Sequence, residues 1–141
     1  MPLCRLFEGL VLKPYLCPAG YWTIGYGTVF KPDGTQVKPD DPPITKETAE
    51  EWLLSELTRN YLPGVLRASP GLLARPKALG AITDFAYNLG VGRYRGSTLR
   101  KRVDAQDWDG AAQEIVKWNK AGGRILPGLV KRRQAEAVLM R

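Results

Sequence analysis

Three residues near the start of the chain have types and spacing that could do chemistry: Glu8, Cys17 and Thr23. Glu8 closes an apolar run and is followed by Gly9, so its bland reading is a solvated glutamate at a helix end. Its sharper reading is a general acid. Eight residues later stands Cys17, and five further on Thr23. A lone cysteine is usually a small buried hydrophobe. It becomes a base or nucleophile only as the thiolate, a form that a neighbouring cation such as Lys13 would favour. Thr23 falls in a β-rich run where threonine is common for propensity alone.

What is missing narrows the chemistry further. The 141-residue chain has no histidine. Ser-His and Cys-His nucleophilic sites are excluded, and so are His-ligated zinc sites. Two cysteines are too few for a four-thiolate metal site. No GxxxxGK[ST] loop and no GxGxxG turn after a strand is present. No metal and no cofactor is expected, and proton chemistry must rest on carboxylates, lysine, tyrosine or thiol.

The elements that must position these residues follow from periodicity. Leu3, Leu6, Phe7 and Leu10 give a short helix ending near Glu8. From Tyr15 to Phe30 the chain is rich in Tyr, Trp, Thr, Ile and Val, punctuated by Gly20, Gly25 and Gly27, which reads as a small hairpin or meander. The span 31–43 carries four prolines and three aspartates and reads as a loop with a marginal strand at Gln36 and Val37. Thr45 is an expected N-cap for a helix with an apolar stripe of Ala49, Trp52, Leu53, Leu57 and Tyr61, ending or kinking before Pro63. A short helical piece is expected near Val65. Pro76 opens a buried helix that Gly90 closes. Two short helices are expected over 97–105 and 107–118, the second capped by Asp107, then a loop over 119–126 and a last helix from Pro127 through Met140.

That order is α+β and mostly helical. The expectation is one domain over 1–141, with a small antiparallel β lobe over about 12–43, a connecting helix over about 45–62 and a helical lobe over about 64–141 that the N-terminal helix joins. A cleft is expected between the lobes. Hydrophobic residues are 44% and charged residues 25%, ordinary globular values, and no apolar run approaches the ~20 residues that span a bilayer. Net charge is +7, which favours polyanionic partners without choosing among nucleic acid, membrane and cell wall.

The string EGLVLKPYLCPAGYWTIGYGT, running from Glu8 through Cys17 and Thr23, resembles the active-site segment of the phage-type lysozymes, glycoside hydrolase family 24. Their pattern is Glu, eight residues, Asp or Cys, five residues, Thr. Further blocks match in order: Ile44-Thr45-Lys46 with Ala49-Glu50, Asp84 through Gly90, Ser97-Thr98-Leu99, Trp118 through Arg124, and Leu126 through Val130 with Arg132-Arg133. Nearly the whole chain is covered.

The resemblance implies a lysozyme-like fold and hydrolysis of the β-1,4 bond between N-acetylmuramic acid and N-acetylglucosamine in peptidoglycan. Glu8 would be the general acid, with Cys17 and Thr23 activating or positioning water. In an inverting reaction the catalytic groups stand roughly 6.5–9.5 Å apart. Cysteine in place of the commoner aspartate leaves open whether Cys17 is base, water-orienting group or nucleophile. Tyr15, Tyr26, Tyr87, Asn88 and Arg124 are candidate substrate contacts. Thr28 stands where many relatives carry histidine, which removes a structural ion pair. Cys4 is expected to pack in the core, with a silencing Cys4–Cys17 disulfide as a weaker idea. An endolysin made in the host cytoplasm, without nucleic-acid binding or stable membrane insertion, monomeric and released to the wall through a holin-type lesion, completes the expectation.

Two other classes compete. A lytic transglycosylase needs only one acid and leaves anhydro ends. A basic, non-catalytic binder of cell wall or nucleic acid would use clusters such as Arg100-Lys101-Arg102 and Lys131-Arg132-Arg133, although most such runs are solvated faces.

Overall fold

The computed structural model describes residues Pro2–Arg141. The apolar N-terminal run forms helix α1 (Pro2–Glu8), and Gly9, at φ 74°, turns the chain out of it, a backbone state that costs glycine little. Leu6 was expected on the apolar face of this helix, but its side chain lies outside the described residues. Strands β1 (Val11–Leu16) and β2 (Trp22–Gly25) then pair antiparallel. The first strand starts four residues before Tyr15, because its register shifts between Val11 and Tyr15, and the bulge lets Lys13-Pro14 pass without a ladder partner. The marginal strand expected at Gln36 is a single bridge to Phe30.

Thr45 caps helix α2 (Lys46–Glu56) by accepting from the Thr48 amide at 3.1 Å. The end or kink expected before Pro63 takes the form of a π-helical turn, Leu57–Tyr61, which follows α2 and leads into α3 (Leu62–Ala68) with Pro63 in its first turn. Proline lacks an N–H and its ring crowds the preceding turn, so one wide turn before it removes the conflict. Compactness divides the chain within this turn, into one unit through Arg59 and another from Asn60 to Arg141. The first holds α1, the hairpin and α2. Its buried apolar residues include Cys4, Ile24, Val37, Ala49, Leu53 and Leu57. Cys4 and Cys17 are both free thiols.

The second unit is built around α4 (Pro76–Leu89), whose Ala78, Ala81, Ile82, Phe85 and Ala86 are all buried. It packs against α8 (Pro127–Met140), which also packs on α7 (Trp108–Ile115). Between them in sequence come a 3-10 turn at Pro70–Ala74, α5 (Val91–Arg95) and α6 (Thr98–Asp104). Neither the 3-10 turn nor α5 is legible from apolar spacing, since each is a single turn. Phe85 sits at the centre, edge-on to Trp118 at 5.5 Å and to Tyr94 at 6.4 Å. Asp107 caps α7 as expected, accepting from the Gly110 amide at 3.0 Å. The expected loop over 119–126 is a small hairpin, β3 (Lys120–Ala121) with β4 (Arg124–Ile125). Gly122 and Gly123, at φ 59° and 77°, supply the two left-handed positions that a tight two-residue turn needs.

Candidate active site

In the first unit the chain folds back at Cys17. The Cys17 amide donates to the Tyr21 carbonyl at 2.9 Å, and the Gly20 amide donates to the Cys17 carbonyl at 2.9 Å. The Tyr21 amide is the largest influence lowering the Cys17 pKa, against a smaller opposing push from burial; the Thr23 hydroxyl and the amides of Ala19 and Gly20 add to it. Lys13 is not among the groups that lower it, so the help expected from a neighbouring ammonium comes instead from peptide N–H groups.

Thr23 is opposite Tyr15 in the hairpin register and is only 3% exposed. Its hydroxyl donates to the Tyr21 carbonyl at 2.9 Å. The same hydroxyl is among the groups that lower the Cys17 pKa. Tyr15 ties the neighbourhood together. Its phenol pKa is raised first by burial, then by negative charge on Cys17 and on Glu8. One side chain thus senses both the last residue of α1 and the hairpin turn. Glu8 is half-buried and has interactions of its own.

A second carboxylate stands in the same unit. Glu56, the last residue of α2, has its pKa raised by burial and then by Glu8, and its Oε2 is buried without a hydrogen-bond partner among the described residues. No sequence signal singled it out, since a glutamate at the end of a helix reads as a solvated surface group. Thr28, where histidine was expected in relatives, is buried and its hydroxyl likewise lacks a partner. Tyr26 is 4% exposed and packs inside the unit, which leaves little of its ring for a sugar.

The remaining candidates lie in the second unit. Tyr87 is half-buried and packs edge-on to Tyr61 at 5.2 Å. Asn88, one residue on, accepts through Oδ1 from Arg133 Nη2 at 2.9 Å. Arg124 is exposed at the start of β4. A surface cavity of about 350 Å³ in this unit is lined by residues such as Ser69, Arg75, Asp104 and Trp108, and none of the expected site residues borders it.

With this geometry in place, comparison with known proteins decides the family. The phage lysozyme model matches residues 5–136. The chain belongs to the phage lysozyme family. It is similar to the endolysin of Acyrthosiphon pisum secondary endosymbiont phage 1, at 37% identity over 97% of this chain and 91% of that protein. It is 37% identical to the endolysin of Bacillus phage B103 over 97% of this chain, but spans only 50% of that relative's length. Among solved structures, the endolysin from Escherichia coli O157:H7 phage FAHEc1 superposes with a TM-score of 0.85 at 32% identity, covering 99% of this chain and 88% of that one. The α+β, mostly helical, lysozyme-like fold and the glycoside hydrolase class expected from the sequence both hold.

Within this phage lysozyme, one sequence reading needs correction. The run Lys131-Arg132-Arg133 is not a solvated basic face. Arg132 is 4% and Arg133 0% exposed. Arg132 forms a two-pronged pair with Asp84, Nε to Oδ2 at 2.9 Å and Nη2 to Oδ1 at 2.8 Å. Arg133 is ion-paired to Glu136, Nε to Oε1 at 2.6 Å and Nη2 to Oε2 at 3.1 Å. Charges this deep must be paired, and removing one partner from such a pair costs about 3–5 kcal/mol. Two of the six cations in the clusters that could have formed a basic binding surface therefore belong to the core.

Proposed function

We propose that the chain is an endolysin that hydrolyses the β-1,4 bond between N-acetylmuramic acid and N-acetylglucosamine, with Glu8 as general acid and Cys17 and Thr23 serving the attacking water. The observation that carries the assignment is the turn at Cys17. There the backbone amides of Tyr21, Ala19 and Gly20 and the Thr23 hydroxyl all lower the pKa of one thiol. That donor set favours the thiolate, and it suits an aspartate carboxylate at the same place equally well. The proton balance is simple. Glu8 gives its proton to the leaving glycosidic oxygen as the C–O bond breaks. Water adds to the sugar carbon, and its proton passes to the Cys17 thiolate. Direct attack by the thiolate would instead form a glycosyl–sulfur bond and retain configuration.

Tyr15, Tyr26, Tyr87, Asn88 and Arg124 complete the assignment as substrate contacts, with Tyr26 reduced to an edge contact by its burial. The chain works as a monomer in this reading. No helix among the described residues is long and apolar enough to cross a membrane, and we assign its passage from host cytoplasm to wall to a holin-type lesion made by another protein.

Clearing of permeabilised Gram-negative cells, with reducing-end analysis of the digested wall, tests the proposal. Wild type should yield ordinary reducing ends. Glu8→Gln should lose about 10²–10⁴ of the rate, the usual worth of a positioned general acid. Cys17→Asp should stay active and Cys17→Ser should be severely impaired. Anhydro ends would identify a transglycosylase, and absence of new ends a binder.

A further inference from the structure

The buried arginine pair of α8 has a consequence for the C-terminal end of α4. Arg133 is fully buried, and its guanidinium lies over the Phe85 ring, 5.1 Å from the centroid. Glu136 holds it from the next turn of the same helix through Nε and Nη2. An Nη atom carries two N–H bonds. On Nη2, one goes to Glu136 and the other to Asn88 Oδ1 at 2.9 Å. Arginine has donors only. The amide atom that faces it must therefore be the oxygen, and the amide cannot turn over without setting N–H against N–H. Asn88 is half-exposed near the C-terminal end of α4, and its Nδ2 takes no partner among the described residues. Two N–H donors are left at the accessible end of a fixed amide.

We propose that Arg133 is a positioning residue for substrate recognition, pinning the Asn88 amide so that Nδ2 donates to the acetamide carbonyl of an N-acetylated wall sugar. This rests on the reading of the chain as a glycan hydrolase and of Asn88 as a substrate contact. It adds a direction to that contact. The site reads an acceptor at this point, and an unacetylated amino group, cationic and donor-only, faces two donors instead.

The test uses initial rates on peptidoglycan strands and on the same strands after enzymatic N-deacetylation. Asn88→Asp keeps an oxygen toward Arg133, so thermal stability should be held, but it turns an acceptor outward. KM on acetylated strands should rise about tenfold with kcat within about threefold. Asn88→Ala should reduce the preference for acetylated over deacetylated strands about tenfold. Arg133→Lys keeps a cation beside Glu136 but frees the amide, and should raise KM in the same way, with the Asn88 side-chain NH2 signals losing their restricted motion. Wild-type KM and wild-type preference in Asn88→Asp and Asn88→Ala would overturn the inference while leaving the hydrolase standing. If wild type itself releases no reducing ends, the hydrolase reading falls and the inference falls with it.

Discussion

Cys17 owes its character to peptide groups. A thiol normally titrates near pH 8.5, and the amides of the 17–21 turn with the Thr23 hydroxyl lower that value here. Alkylation by iodoacetamide should therefore reach half its limiting rate at a lower pH than for a model thiol. Thr23→Val should move the midpoint back upward, and an unmoved midpoint would remove Thr23 from the site. Glu56 behaves in the opposite sense. Its folded pKa lies above the ordinary 4.5 because burial and Glu8 both oppose its charge. Such a group favours folding fully below its unfolded pKa, and that contribution is lost as pH rises through the folded value. Glu56→Gln should consequently flatten the decline in melting temperature from about pH 4.5 upward, read by thermal scans across that range. A parallel decline in both proteins would show that Glu56 carries no such burden.

At the level of elements, ends and turns matter more than interiors. Helix α7 begins on the Asp107 cap, and a Cβ at position 110 would overlap the Asp107 carboxylate. Glycine to alanine in a helix ordinarily stabilises by up to about 1 kcal/mol. At this position the gain should vanish, because Asp107 must swing away and its cap, worth about 1 kcal/mol, is lost. Equilibrium denaturation of Gly110→Ala should show no increase in stability, whereas a clear increase would mean the cap contributes little. The π-helical turn at Leu57–Tyr61 obeys the same logic at larger scale. An apolar stripe and a proline made incompatible local demands, and one wide turn satisfies both.

Across the whole molecule the net charge of +7 is the main long-range feature, and the buried pairs Arg132–Asp84 and Arg133–Glu136, each neutral in sum, leave it unchanged. Arg132 and Arg133 are buried, and Arg100 donates to the Ala68 carbonyl through Nε at 3.1 Å and Nη2 at 2.9 Å. The exposed remainder, with Lys101, Arg102 and Lys131 among it, is left to attract an anionic wall. Screening shortens the reach of such charge from about 10 Å at 0.1 M salt to about 3 Å at 1 M. Lysis of permeabilised cells should slow several-fold over that range, as followed by turbidity. A constant rate would mean that the surface charge does not help the enzyme reach its substrate.

The sequence alone determined what is local or strictly periodic. The end of α1 at Gly9, the caps at Thr45 and Asp107, the helix opened by Pro76 and the Glu8-Cys17-Thr23 spacing were all legible, because each depends on residues a few positions apart. Nothing local could show that Arg133 is buried, since an arginine reads as surface until a distant Asn88 and Phe85 are seen to face it. Glu56 likewise became notable only when α2 brought it near Glu8. The thiol's amide donors needed a turn whose closing bond joins Cys17 to Tyr21. Burial and charge pairing are properties of neighbours in space, and only the tertiary structure chose those neighbours.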